Sequence, residues 1–246
     1  MAFESTAKYY DALALTAHRL EREGPLLRAW LADAPGTRVL DLACGTGIHA
    51  LLLAEAGTLV TAVDLSEDMI AYASAVRPHP NIDYRVGDLR RPPEGEWDLA
   101  LCLGNSISLL ASRDDLESAF AHVVARLAPG GCFALQVLNY LAPTHQQPRH
   151  RVVYTEMGGT PLMAVKNLVP HEDRTLLSMA FFVDRGGDLT SVAESAVLRN
   201  WTHRDLEHIA EATGLQVAQR YGGYDRSAFS PQDSGDLILV LRKGAA

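Results

Sequence analysis

Between residues 37 and 138, five short apolar runs alternate with segments that are long enough to form helices. The runs are mostly apolar on both faces, which is typical of strands that are covered from both sides. Strands that alternate with helices in this way form parallel sheets with helices packed on each face. We therefore predict an α/β fold with a doubly wound, mostly parallel sheet.

The pattern changes after residue 149, where four strand-like runs follow one another with only turns between them. This arrangement predicts an inserted antiparallel β-sheet. A helix then begins after Thr202 and ends before Gly214, and two further strands complete a seven-stranded main sheet. The predicted units are an N-terminal helical cover (1–35, helical over 5–33), a core (36–141 and 202–243) and an insert that forms a substrate lid (142–201).

The chain is acidic, with 30 Asp and Glu residues against 22 Lys and Arg residues and a net charge of −8. Binding to nucleic acid needs clustered basic residues, and no such cluster occurs in the sequence. The pair Arg90 and Arg91 is followed at once by two prolines and a glutamate, so we interpret it as solvated loop charge. We predict no nucleic-acid partner.

The N-terminal segment lacks a basic stretch followed by an apolar one, and no apolar run is long enough to span a membrane. These features predict a cytoplasmic protein with no membrane partner. Cys44, Cys102 and Cys132 lie within apolar runs and make an odd count without paired spacing. We predict buried free thiols in a reducing compartment.

The segment "VLDLACGTGIHA" (39–50) ends a strand with two glycines and continues into a helix. Gly45 and Gly47 leave backbone N–H groups free and let a nucleotide-like ligand approach without meeting a Cβ. Asp64 ends the next strand, 19 residues after Gly45, where its carboxylate can accept both hydroxyls of a ribose. The alternative role of Asp64 is to cap the helix that begins near Ser66.

Two adenosine cofactors remain, a dinucleotide and S-adenosylmethionine, and Ala50 completes a Gly-x-Gly-x-x-Ala pattern that a dinucleotide fold can use. Asp41 lies at the strand end, where its charge disfavours a pyrophosphate but tolerates the ammonium group of a methionine. Asp88 follows the third strand, where an adenine amino group is expected, and the polar "CLGNS" follows the fourth. S-adenosylmethionine is the better fit.

The segments "RVLDLACGTG", "VTAVDLSEDMI", "CLGNS" and "VLNY" resemble the class I S-adenosylmethionine-dependent methyltransferases, and among them the glycine and sarcosine N-methyltransferases and related small-molecule enzymes. The resemblance covers nearly the whole chain and implies a Rossmann-like core that binds S-adenosylmethionine. It implies cofactor-binding roles for Arg19 (methionine carboxylate, with a solvated charge as the alternative), for Ala43, Gly45 and Leu103 (methionine and sulfonium), for Asp64 (ribose), and for Leu65, Met69, Asp88 and Leu89 (adenine). Asp41 and Gly47 are further cofactor-binding candidates from the motif itself.

The resemblance also limits the methyl acceptor. Glycine-methylating relatives carry an arginine immediately before the Asn-Tyr pair, which clamps the substrate carboxylate, whereas this chain has Leu138. Because a carboxylate would lose its bidentate partner, we predict an acceptor that is larger and less acidic than glycine. Candidates to line its pocket, or alternatively to form core, are Tyr154, Met157, Met163, Met179, Phe181 and Phe182.

Methyl transfer to a neutral amine is an in-line displacement that needs alignment more than acid–base groups. The catalytic candidates are Asn105 on a polar rim, His145 as a general base after the fifth strand, and Tyr10, which can contact a cation. His145 is alternatively a surface residue, and Tyr10 alternatively packs in the cover helix. "GNSIS" lacks the carboxylates of metal-dependent methylation, and His203 and His208 are wrongly spaced for zinc, so we predict no metal.

The leading hypothesis is therefore an enzyme that methylates an amine of a small molecule, with O-methylation as the next candidate. A non-catalytic module that binds S-adenosylmethionine to regulate a partner is a third hypothesis, and a dinucleotide-dependent oxidoreductase is a fourth. The sequence leaves open whether the chain forms a homo-oligomer.

Overall fold

The computed structural model describes residues 6–14 and 16–244. The predicted cover helix over 5–33 corresponds to two described helices, whereas residues 1–5 and residue 15 of the predicted cover lie outside the described part of the chain. In chain order the helices are α1 (Ala7–Ala14), α2 (Thr16–Asp33), α3 (Ile48–Glu55), α4 (Glu67–Val76), α5 (Arg113–Arg126) and α6 (His203–Ala212). The strands are β1 (Arg38–Leu42), β2 (Leu59–Asp64), β3 (Ile82–Val86), β4 (Trp97–Cys102), β5 (Leu127–Leu138), β6 (Arg149–Met157), β7 (Thr160–His171), β8 (Arg174–Asp184), β9 (Leu189–Arg199), β10 (Leu215–Tyr221) and β11 (Asp236–Lys243).

The main sheet has seven strands in the order β10-β11-β5-β4-β1-β2-β3. Strands β1 to β5 run parallel to one another, while β11 is antiparallel to both β5 and β10. The strand order reverses between β1 and β4, and the carboxyl ends of these two strands form the kind of crevice in which α/β proteins bind ligands. The predicted fold class, a Rossmann-like sheet with an added antiparallel sheet, is confirmed.

Side chains that alternate along β1 pack on opposite faces of the sheet. Leu40 and Leu42 lie in the apolar cluster that contains Phe120 of α5, whereas Val39 lies in the cluster that contains Leu27 of α2. Burying each of these side chains contributes about 1.5–3 kcal/mol to folding. Strand β1 is therefore held from both sides, and it gives a rigid support to the loop that follows it.

The insert is a four-stranded antiparallel sheet in the order β6-β7-β8-β9. One face packs on α1, where the ring of Tyr9 stacks on Phe181 with centroids 5.6 Å apart. This contact places the inner face of the insert beside the cover helices and above the carboxyl ends of the parallel strands.

The chain returns from the insert to the core through a capped helix start. Thr202 Oγ1 accepts from the N–H of Asp205, and the Asp205 carboxylate accepts in turn from the N–H of Thr202 at 3.0 Å. Next to the cap, Trp201 Nε1 donates to the carbonyl of Leu110 at 3.1 Å. Helix α6 is followed by Gly214, whose φ of 86° suits a residue without a Cβ. Both helix limits agree with the sequence-based prediction.

The three cysteines Cys44, Cys102 and Cys132 are buried and free, as predicted. Within the described ranges, no helix combines the length and the apolar character that a membrane crossing requires.

Candidate active site

A cavity of about 870 Å³, here called the main cavity, opens at the carboxyl ends of β1, β2 and β4. Its walls come from the loops after these strands, from α1 and α2, and from the inner face of the insert. A smaller cavity of about 40 Å³, the side cavity, lies beneath the loop after β1 and shares Tyr10, Arg19, Ala43 and Gly45 with the main one.

The loop after β1 turns through three left-handed residues, Ala43 (φ 54°), Gly45 (φ 55°) and Gly47 (φ 77°). A Cβ added to Gly45 would meet no atom within 4 Å, so this residue borders open space in the cavity. A Cβ added to Gly47 would lie 2.5 Å from the Tyr84 hydroxyl, and Gly47 lines neither cavity. The structure therefore corrects the predicted cofactor role of Gly47, which instead lets the start of α3 pack against Tyr84.

Asp64 lines the main cavity at the end of β2 and also fixes the glycine loop. Its Oδ2 accepts from the N–H of Gly45 at 2.8 Å, and its Oδ1 accepts from the N–H of Ser66 at 3.0 Å. Burial raises the pKa of Asp64, and these backbone hydrogen bonds oppose the rise. The helix cap proper is Ser66, whose Oγ accepts from the N–H of Met69 at 3.2 Å. The contact between Asp64 and a ribose stays a prediction.

The predicted adenine-binding residues Leu65, Met69, Asp88 and Leu89 all line the main cavity. Arg90 also lines it, and its guanidinium donates to Asp88 at 2.9 Å and to Asp115 at 2.8 Å. The hydrogen bond from Arg90 lowers the pKa of Asp88. Arg90 is exposed in a turn, as the interpretation of solvated loop charge requires, and it also pairs with two carboxylates at the rim of the site.

Asp41 and Leu103, two of the predicted methionine-binding residues, line the side cavity. Asp41 is buried, and its Oδ2 has no hydrogen-bond partner among the described residues. Burial raises the pKa of Asp41 to about 7, against the lowering effect of Arg19. An unpartnered buried carboxylate close to an arginine suits a ligand that carries both an ammonium and a carboxylate, as the methionine portion of S-adenosylmethionine does.

Arg19 lines both cavities and is held by a hydrogen-bond network that was not predicted. Its Nε donates to Glu23 at 3.0 Å, Arg22 also donates to Glu23, and His49 Nε2 lies 2.7 Å from the same carboxylate. Burial opposes ionisation of Glu23, but the hydrogen bond from His49 and the charge of Arg19 lower its pKa to about 2. The spacing of Arg19 and Glu23, one helical turn apart, is the signal that was available in the sequence.

Asn105 lines the main cavity, but its side chain is committed to the protein. The amide Nδ2 donates to the Tyr140 hydroxyl at 2.8 Å, and Oδ1 accepts from the N–H of Leu138 at 2.9 Å and from Ser108 Oγ at 3.1 Å. Asn105 therefore fixes the rim between β4 and β5. The geometry assigns it a positioning role in place of the predicted contact with the acceptor.

His145 is buried and lines neither cavity. Its Nδ1 donates to the carbonyl of Asn139 at 2.9 Å, and burial lowers its pKa. This placement contradicts both the prediction of a general base and the alternative of a surface histidine. Tyr10 lines both cavities, as its predicted role requires, and burial raises its pKa.

The acceptor end of the main cavity differs most from the prediction. Of the six insert residues proposed to line it, Met179 does so, whereas Tyr154 is 79% exposed and Phe181 packs on Tyr9. Met157, Met163 and Phe182 also lie outside the lining. The insert contributes basic residues that the sequence did not reveal, namely Arg149, Arg151 and Lys166. They bring cationic side chains to the acceptor end of the cavity, where Leu138 provides none. No group of three His, Cys, Asp or Glu side chains in the described ranges is arranged to hold a metal ion.

Comparisons with known proteins agree with this geometry. Residues 39–131 match a family described as a methyltransferase domain. The chain is 26% identical to cypemycin N-terminal methyltransferase of Streptomyces sp. over 97% of this chain and 99% of that protein. It is 30% identical to dTDP-3-amino-3,6-dideoxy-alpha-D-glucopyranose N,N-dimethyltransferase of Streptomyces fradiae, over 75% of this chain and 72% of the relative.

A glycine/sarcosine N-methyltransferase of Halorhodospira halochloris is 35% identical over 53% of this chain, which spans about half (51%) of that relative. Among solved structures, an S-adenosylmethionine-dependent methyltransferase from Clostridium acetobutylicum superposes with a TM-score of 0.81 at 19% identity, over 98% of this chain and 99% of that one. At this identity the structural similarity concerns the fold.

Proposed function

The chain belongs to the class I S-adenosylmethionine-dependent methyltransferases, and we propose that it transfers the methyl group to an amine nitrogen of a small molecule. The observation that carries the proposal is the continuity of the main cavity. The cavity runs from Gly45 and Asp64 at the cofactor end to Lys166 and Met179 on the inner face of the insert. Its volume of about 870 Å³ lies within the range of about 300–1,000 Å³ that ligand sites occupy.

The relatives support nitrogen as the acceptor atom. The two that align over most of their length carry names that specify a peptide N-terminal amine and an amino sugar. Neither name fixes the acceptor of this chain, because the insert that faces the acceptor has its own set of side chains. A small molecule that presents an amine is the class these relatives share with the glycine and sarcosine enzymes.

The residues of the chain hold the cofactor and align the acceptor. When bound, S-adenosylmethionine supplies an electrophilic methyl group on its sulfonium. Arg19 and Asp41 would hold the methionine carboxylate and ammonium, and Asp64 would hold the ribose. Alignment of this kind lowers a barrier by roughly 7–11 kcal/mol, so the reaction needs few further groups.

The acceptor amine must be neutral to attack. Positive charge near an ammonium favours loss of its proton, and the sulfonium of bound S-adenosylmethionine would supply such a charge at the cofactor end of the cavity. Since His145 lies outside the cavity, we infer that the acceptor ammonium loses its proton to solvent at the mouth of the cavity. The electrostatic surroundings, rather than a dedicated base, would then keep the acceptor neutral.

The test is a set of acceptor pairs that share a scaffold and differ only in an amine or a hydroxyl group. Each is incubated with the purified protein and methyl-deuterated S-adenosylmethionine, and the products are fragmented by mass spectrometry. Label on nitrogen supports the proposal. Label confined to oxygen favours an O-methyltransferase, and tight cofactor binding without transfer to any acceptor favours a regulatory binding module.

A further inference from the structure

Three basic side chains share one face of the insert. Arg149 and Arg151 are two residues apart on β6, and Arg151 lies directly opposite Lys166 of β7 in the antiparallel register. Since side chains alternate along a strand, all three lie on the same face, and all three line the main cavity. The insert therefore presents a compact group of three cationic side chains to the acceptor end of the site.

These cations differ from the others that line the cavity. Arg19 and Arg22 pair with Glu23, and Arg90 pairs with Asp88 and Asp115. In the described part of the chain, by contrast, no carboxylate lies within ion-pair distance of Arg149, Arg151 or Lys166. The Nε of Arg149 is buried and has no hydrogen-bond partner there.

The carboxylates of the cavity are already engaged elsewhere. Glu23 serves the arginines of α2, Asp64 accepts from the glycine loop, and Asp88 and Asp115 hold Arg90. Asp236 accepts from Gln136 Nε2 at 2.7 Å. The charge of Asp236 acts on Arg149 from a distance, but no carboxylate of the described residues forms an ion pair with the insert cations.

Holding like charges opposite one another on a sheet is unfavourable. Burial, followed by the charges of Arg19, Arg149 and Arg151, lowers the pKa of Lys166 to about 8. This arrangement is found in a chain whose net charge is −8. A ligand that supplies negative charge at this face would relieve the repulsion.

We propose that the methyl acceptor carries an oxyanion, a carboxylate or a phosphate, which Arg149, Arg151 and Lys166 bind at the insert end of the main cavity. The guanidinium groups fit either anion with paired hydrogen bonds. This inference rests on the proposed function for the acceptor, and it replaces the clamp that Leu138 cannot provide with one built from the insert. The amine of the same molecule then extends toward the cofactor end.

The sequence makes a direct test practical, because the chain contains only Lys8, Lys166 and Lys243 as lysines. Protein labelled with carbon-13 on lysine side chains gives few NMR signals to follow, and Lys166→Met identifies the one of interest. The charged groups around Lys166 are Arg149 and Arg151 from β6 and Arg19 from α2. Tyr10 of α1 lines the same cavity, and Glu194 of β9, which accepts from Thr6, lies two strands away in the same row.

The Lys166 signal is titrated with pH in sodium chloride, sodium acetate and inorganic phosphate at equal ionic strength. We expect acetate, phosphate or both to raise its titration midpoint by about one pH unit above the chloride value. A shift with acetate alone identifies a carboxylate site, and a shift with phosphate alone identifies a phosphate site. Equal midpoints in all three salts overturn the proposal.

Two variants test the specificity of this effect. Arg149→Met should reduce the shift, whereas Arg174→Met, which alters an exposed arginine of the same insert outside the cavity, should leave it intact. An unchanged shift in Arg149→Met contradicts the assigned site. Because anion binding is measured without turnover, it can fail or succeed independently of the N-methylation experiment.

Discussion

Gly45 donates its backbone N–H to the carboxylate of Asp64 at 2.8 Å, so the loop after β1 is tied to the end of β2. Asp64→Ala removes this hydrogen bond together with the carboxylate that is predicted to accept from the ribose hydroxyls. We expect affinity for S-adenosylhomocysteine to fall about 100-fold, since each hydrogen bond to a charged group is worth about 1.5–3 kcal/mol. Calorimetric titration measures the loss. Asp83→Ala, an exposed carboxylate on β3, is the control, and equal affinities in both variants would remove Asp64 from the cofactor site.

The two glycines of the loop should respond differently to alanine. Gly47→Ala places a Cβ 2.5 Å from the Tyr84 hydroxyl at a φ of 77°, and we expect a loss of about 2–4 kcal/mol in the free energy of unfolding. Gly45→Ala meets no atom within 4 Å, so only left-handed strain of about 1–2 kcal/mol applies. Urea unfolding of both variants checks the difference. A larger loss for Gly45→Ala would show that the loop is packed differently.

Asp41 should make the protein without cofactor less stable as pH rises. Burial raises the pKa of Asp41 from its ordinary value to about 7, so the folded chain binds a proton that the unfolded chain has released. Asp41 therefore lowers the free energy of unfolding by an amount that grows from about pH 4 to about pH 7 and then stays constant. This loss reaches roughly 2–4 kcal/mol.

Asp41→Asn keeps the shape and removes the titration. Unfolding in urea at pH 5 and at pH 8 should show that the variant gains stability relative to the parent chain as pH rises. Parallel pH dependences for the two proteins would mean that Asp41 is already ionised at pH 5 in the folded protein.

His145 should prove dispensable for chemistry. His145→Gln removes a buried hydrogen bond to Asn139 and should lower stability by about 1 kcal/mol. We expect kcat to stay within about twofold and the pH profile to keep its shape, whereas loss of a general base costs about 100-fold or more. The pH dependence of kcat decides between these outcomes. If the variant lost one of the ionisations seen in the parent profile, His145 would be a general base after all.

Asn105→Ala should lower turnover more than cofactor affinity. The substitution leaves the Leu138 N–H and the Tyr140 hydroxyl without their partner, which should cost about 1–3 kcal/mol in stability. We expect kcat to fall because the rim of the acceptor site loses its support. Gln147→Ala, a change on an exposed loop, is the control. Equal losses in kcat and in affinity for S-adenosylhomocysteine would place Asn105 in the cofactor shell instead.

The sequence predicted well what depends on local pattern. Alternation of apolar runs located β1 to β5, and the spacing of Gly45 and Asp64 located the strand ends that meet at the cavity, because parallel strands bring their carboxyl ends to one edge. The cap at Thr202 followed from residue type alone. Each of these features depends on neighbours within about one strand-helix unit.

Features set by packing between distant elements were not accessible in this way. Lys166 lines the cavity because α1 supports the insert at Tyr9 and Phe181, a contact that joins segments far apart in sequence. His145 is buried because a short turn carries it back to the carbonyl of Asn139. Periodicity reports which face of a strand is apolar, but it does not report which cavity that face borders.

The helix cap at Thr202, where the chain returns from the insert to the core, bears on how proteins of this kind could acquire new acceptors. Because α6 carries its own cap and Trp201 donates to Leu110, the junction at which the chain leaves the insert is fixed by the core. Exchange of the insert would change which acceptor is bound, and it would leave the glycine loop and Asp64 unaltered. Chimaeras joined at residues 142 and 201 would therefore be a practical route to new methyl acceptors on an unaltered cofactor platform.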